Sequence, residues 1–161
     1  MIKYTDTQVT FREVPDEITL CINLSLCPYK CKGCHSPELR NDIGEELTEE
    51  KLDELIRANN GITCVCFMGG DNDPKRRVEL VKWIREHYPN LKTACYSGND
   101  WYVDSWGLCF DYFKVGSYKE DLGPLDNPNT NQIMYENVRE EDGSIFFKVI
   151  TNKFWNGKNI S

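Results

Sequence analysis

No apolar run in this 161-residue sequence approaches the roughly 18–20 residues that a membrane span requires. The opening seventeen residues, MIKYTDTQVTFREVPDE, lack the apolar core of a secretory signal. Positive charge is scarce as well: 19 Lys and Arg stand against 26 Asp and Glu, a net charge of −7. Nucleic-acid binding needs clustered Lys and Arg to neutralise phosphates, so this balance argues against it. Only two histidines are present, His35 and His87, and His87 falls on a helix face, which leaves little for a histidine acid–base pair. Internal repeats, low-complexity tracts and Pro/Gly/Ser linkers are absent. With 40% hydrophobic and 28% charged residues the chain has the means to bury a core, which excludes a disordered class. The expectation is one cytoplasmic domain, 1–161, with neither membrane nor nucleic acid among its partners.

Cysteine, by contrast, is plentiful. Eight are present, at 21, 27, 31, 34, 64, 66, 95 and 109. A disulfide framework belongs to small secreted chains, and with no export signal the thiols are expected to stay reduced. Cys21, Cys64, Cys66, Cys95 and Cys109 fall in apolar, strand-like stretches, where cysteine acts as a small buried hydrophobe. Cys27, Cys31 and Cys34 crowd into eight residues and need another explanation.

The pattern of the chain is that of alternating strands and helices. Lys3 to Glu13 reads as an extended edge piece, and Glu17 to Leu26 (with ITLCINLSL) as a strand running into the cysteine loop. Thr48 is an N-cap, with Leu47 and Leu52 as a hydrophobic staple; Leu52, Leu55 and Ile56 form the apolar stripe and Asn60-Gly61 the stop. Ile62 to Met68 is a strand ending in Gly69-Gly70. Asp73-Pro74 opens a second helix whose buried face is Val78, Val81, Ile84 and Tyr88, and Pro89 closes it. Leu91 to Tyr96 is a strand ending at Ser97-Gly98, Asp100 to Trp106 a short helix, and Cys109 to Val115 a strand ending at Gly116. Residues 119–161 are a loop-rich tail with terminal strands at Gln132 to Arg139 and Ser144 to Thr151. The acidic pairs at Glu45-Glu46 and Glu140-Glu141 read as solvated loop charges.

Such alternation implies an α/β fold with a mostly parallel sheet and right-handed crossovers. The strand ends at Cys27, Gly69, Ser97 and Gly116 then share one carboxyl edge, where parallel α/β folds place their sites. Eight βα units would need about 250 residues, so a barrel here is partial and open.

The loop reads Cys27-Pro28-Tyr29-Lys30-Cys31-Lys32-Gly33-Cys34, a C-x3-C-x2-C spacing that presents three thiolates to one centre, with Gly33 easing the turn. Structural zinc takes four ligands, and a fourth is available from His35 or a distant cysteine. A [4Fe–4S] cluster usually takes four cysteines. Three leave one iron open to a substrate.

C-x3-C-x2-C directly after the first strand resembles the signature of radical S-adenosylmethionine (SAM) enzymes. CPYKCKGCHSPEL is similar to the activating proteins of anaerobic ribonucleoside-triphosphate reductase, which share the glycine at Gly33 where many relatives carry an aromatic residue. The resemblance continues through FMGGDND at 67–73, YSG at 96–98 and KVGSYKEDLGPLDNPNTNQ at 114–132. It implies a partial, open (βα) barrel of the radical SAM type. It also implies that Cys27, Cys31 and Cys34 hold a [4Fe–4S] cluster whose open iron chelates the amino and carboxylate groups of S-adenosyl-L-methionine. Gly69-Gly70-Asp71 matches the family's Gly-Gly-Glu turn, with an acid one methylene shorter, and would bind the SAM amino group. Ser97 matches a ribose or carboxylate contact and Lys114 a carboxylate partner, while Tyr29, Gly33, His35 and Ser36 flank the cluster and adenine.

The activity implied is reductive cleavage of SAM to methionine and a 5′-deoxyadenosyl radical, which takes hydrogen from a backbone glycine. The partners implied are a glycyl radical enzyme, anaerobic ribonucleoside-triphosphate reductase, and a flavodoxin-like or ferredoxin-like electron donor. Alternatives are an activase of another glycyl radical enzyme, of the pyruvate formate-lyase type, and a zinc-binding module without catalysis. Taken without the resemblance, Gly69-Gly70 is an ordinary strand-to-helix turn, Ser97 a helix cap and Lys114 a solvated lysine.

Overall fold

The computed structural model describes residues 1–100 and 109–155. In chain order the elements are β1 (Lys3–Thr10), β2 (Thr19–Leu24), a 3₁₀ turn (Pro37–Arg40), β3 (Glu45–Glu46), α1 (Glu49–Ala58) and β4 (Cys64–Met68). They continue with α2 (Pro74–His87), β5 (Lys92–Tyr96), β6 (Tyr112–Val115), β7 (Ile133–Arg139), β8 (Ile145–Val149) and a 3₁₀ turn (Thr151–Phe154). The strands form one open sheet in the order β3-β1-β2-β4-β5-β6-β7-β8. β2, β4, β5 and β6 run parallel, while β1 and β3 on one side and β7 and β8 on the other are antiparallel. The mixed α/β class with a parallel centre is as expected; the expected helix at Asp100 to Trp106 falls mostly outside the described residues.

Strand periodicity sorts the side chains onto two faces. Leu20, Ile22, Leu24, Val65, Phe67, Cys95 and Phe113 pack with Leu52 and Ile56 of α1 and Leu80, Val81 and Ile84 of α2. Cys21, Cys64, Cys66, Ala94 and Met134 point to the other face, which Val14, Leu125 and Ile150 cover from loops. All eight cysteines are free thiols. Cys64 and Cys66 do share a face, as the i, i+2 spacing requires.

Both helix starts are read correctly from their caps. The Thr48 hydroxyl accepts from the Lys51 amide at 3.2 Å, with Leu47 and Leu52 both fully buried. Asp73 accepts from the Arg76 amide at 3.2 Å, with Pro74 at the first position. The buried stripe of α2 differs from the expected one. It is Arg77, Leu80, Val81 and Ile84, with Val78 and Tyr88 only half-buried. Arg77 joins the stripe because its head is bonded beneath the glycine turn, while Val78 and Tyr88 pack at its margin. Lys3–Thr10 is an edge strand over most of its length, as expected; only Lys3 and Tyr4 are covered on the outer side, by Glu45–Glu46, which the sequence pattern assigns to a loop.

Arg76 ties α2 to α1, donating to both Glu49 carboxylate oxygens at 2.7 and 2.8 Å. Those bonds hold the Glu49 carboxyl down at about 2, below its ordinary 4.5. A carboxyl held below its unfolded value contributes in full above the ordinary range and loses its contribution as pH falls towards about 2. Glu49→Gln is therefore expected to cost at most about 1 kcal/mol at neutral pH, the pair being partly solvated. Denaturant titrations across acid pH should show a shallower fall in stability for the variant than for the parent.

Candidate metal centre at the carboxyl edge

The cysteine loop leaves β2 at Leu24 and is fastened from behind by the segment that follows it. The Leu26 and Cys27 amides donate to the Asn41 and Leu39 carbonyls at 3.3 and 2.9 Å. Arg40 donates to the Cys31 carbonyl at 2.9 Å, and the Cys34 amide closes a turn on the same oxygen at 3.3 Å. Gly33 stands in that turn with φ +76, a left-handed conformation that glycine adopts without strain. The Pro37–Arg40 turn thus anchors the loop, leaving the three cysteines half-buried, neither sealed in the core nor stripped bare.

Burial pushes the Cys27 thiol up, and the charges of Asp71, Cys31 and Cys34 act on it in the same direction. Burial also pushes up Cys64 and Cys66, and Cys95 to about 11, which keeps those thiols neutral. Cys64, Cys66 and Cys95 are also sealed in the core, whereas the three loop cysteines are part-exposed, and that access separates the two sets. Among the described residues no three His, Cys, Asp or Glu side chains are grouped to hold a single metal ion. A multi-iron cluster takes each thiolate on a different iron, and three part-exposed thiols in one loop are donors of the type it takes.

The strand ends converge on this loop as a parallel sheet requires. The Tyr29 ring lies on Gly98, where a methyl group would stand 2.7 Å from Cδ2. Burial and the nearby Asp71 charge push Tyr29 up to about 12. From the tail, the Glu120 side chain covers Gly33, 3.1 Å from where its methyl would be, and Tyr118 packs on His35 with ring centroids 5.4 Å apart. The segment expected to be only loop-like thus touches the cysteine loop at two places.

Residues 18–105, more than half of the chain, match the family model of the 4Fe-4S single cluster domain. The chain belongs to that family. The matched span takes in Cys27, Cys31 and Cys34 and the turns at Gly69–Asp71 and Ser97, and so supports an iron–sulfur cluster of the 4Fe-4S type as the cofactor. No curated protein and no solved structure matches the chain.

The remaining polar residues of the 4Fe-4S domain's edge are bonded inward. Asp71 accepts from the Ser97 hydroxyl at 2.8 Å, the Gly98 amide at 3.0 Å and Arg77 at 3.1 Å. Lys114 is buried and donates to the Ser97 and Gly116 carbonyls at 2.9 and 3.1 Å; burial lowers its pKa. Arg77 escaped the sequence reading, although its position three and four residues before Leu80 and Val81 places it on their stripe. Among the described residues no helix is long and apolar enough to cross a membrane.

Proposed function

We propose that this protein is a radical SAM activase, generating a glycyl radical on anaerobic ribonucleoside-triphosphate reductase with electrons from a flavodoxin-like or ferredoxin-like donor in the cytoplasm. The observation that carries the reading is the placement of the C-x3-C-x2-C loop. It follows β2 directly, at the carboxyl edge of four parallel strands, with Gly69–Asp71, Ser97 and Lys114 on the same edge. Membership of the 4Fe-4S single cluster domain family supports the metal side of it.

Cys27, Cys31 and Cys34 would hold a [4Fe–4S] cluster of the radical SAM type, leaving one iron without a protein thiolate. When bound, such a cluster supplies the electron that cleaves SAM and the open iron that chelates its amino and carboxylate groups. The chain's own part is orientation and shielding. Tyr29, packed on Gly98, and Glu120, beside Gly33, hold the loop against the edge. Hydrogen abstraction from a glycine needs no acid–base pair, in keeping with a chain that has only two histidines. The sheet, left open as in a partial (βα) barrel, suits a macromolecular substrate.

Electron paramagnetic resonance of the anaerobically reconstituted, reduced protein tests this. The expected result is a cluster signal that changes shape when SAM is added. A signal indifferent to SAM would leave simple electron transfer, and zinc bound in place of iron would leave a structural module.

A further inference from the structure

The Gly69–Asp71 turn is locked from below by a side chain that never reaches the surface. Arg77 is wholly buried on the inner face of α2, with its guanidinium 5.9 Å from the centre of the Phe110 ring. It donates to the Gly69 carbonyl at 2.6 Å and to Asp71 at 3.1 Å. Asp71 turns the other way, into the end of β5: one oxygen takes the Ser97 hydroxyl together with Arg77, and the other takes the Gly98 amide. Its side chain is 9% exposed. The Ser97 hydroxyl in turn accepts from the Asn99 amide at 3.0 Å, so the network reaches the start of the next connection. Three of the carboxylate's roughly four acceptor sites are thus taken by protein donors, and displacing any of them would strand a buried donor.

We infer that Asp71 and Arg77 are positioning residues, joining the ends of β4 and β5 into one rigid rim, and that Asp71 acts on bound SAM through that rim rather than as its main ammonium partner. The shorter acid is what permits this, because a carboxylate one methylene further out would overshoot the Gly98 amide. The part concerning SAM rests on the activase reading; the latch itself does not.

Three variants of the full chain decide it. Asp71→Glu restores the longer acid, Asp71→Asn removes the charge, and Arg77→Lys, the mildest, retains the buried cation. On the chain without cluster or SAM, hydrogen exchange at the Gly98 amide is expected to quicken by about tenfold or more in Asp71→Asn. Its melting temperature should fall by about 10 °C. On reconstituted protein, equilibrium dialysis is expected to show SAM bound about tenfold more weakly by Asp71→Glu. Arg77→Lys should weaken it too, although Arg77 has no surface to offer a ligand. Unchanged Gly98 exchange in Asp71→Asn overturns the latch. SAM affinity kept or improved in Asp71→Glu overturns the positioning role, whatever the melting temperature does. If the parent protein fails to bind SAM, the activase reading falls, while exchange and melting still decide the latch.

Discussion

Replacing Cys27, Cys31 or Cys34 by alanine is expected to leave less than about one iron per chain after anaerobic reconstitution, against about four in the parent. The same exchange at Cys64, Cys66 or Cys95 is expected to leave iron loading intact. The distinction rests on environment, since all eight cysteines are free. The loop thiols are half-buried on backbone fastened by Arg40 and the Pro37–Arg40 turn. Cys64, Cys66 and Cys95 are wholly buried between hydrophobic neighbours, where burial holds the proton on sulfur. With only three candidate ligands, loss of one leaves two thiolates for a cluster of four irons, so the effect should be near-complete rather than graded. Iron assay and visible absorbance of the reconstituted variants provide the measurement. Iron kept by Cys34→Ala but lost by Cys64→Ala would move the centre from the loop to the sheet face.

That loop was legible because its information is local: three cysteines in eight residues, a glycine where the backbone turns, and a strand immediately before it. The helix starts were legible for the same reason, since Thr48 and Asp73 act within one turn of themselves. What stayed hidden depends on contacts distant in sequence. Glu45–Glu46 reads as loop because two exposed acids carry no strand pattern; they pair only because β1 passes beside them. Arg77 reads as surface because hydropathy assigns its charge to solvent, whereas the Gly69 carbonyl and Asp71 satisfy its head inside. Tyr118 and Glu120 sit in a stretch without periodicity, and only the folded chain brings them onto His35 and Gly33. The strand pattern and the family resemblance put Asp71 and Lys114 on the carboxyl edge but did not give their partners, which are the neighbouring strand ends.

Gly70 is the other place where a single methyl group should have a large effect, and Gly61 is its control. Both have a positive φ, +92 and +87, so alanine at either pays the same conformational penalty of about 1 kcal/mol. Around Gly61 nothing lies within 4 Å of the added methyl. At Gly70 the methyl would stand 3.0 Å from the Arg77 Cδ and 3.1 Å from the Leu24 Cδ1, and both side chains are fully buried with no free space to retreat into. Overpacking of that kind adds about 1–3 kcal/mol. Gly61→Ala should therefore lower the melting temperature by about 3 °C and Gly70→Ala by about 10 °C. The functional consequence separates them further. Relief at Gly70 comes by pushing Arg77 away from Asp71, which frees the rim at Ser97 and Gly98, so under the proposed activase function Gly70→Ala should also weaken SAM binding while Gly61→Ala leaves it unchanged. Equal melting shifts at the two positions would mean that Arg77 and Leu24 yield readily, and that the turn owes its shape to backbone preference rather than to the buried arginine beneath it.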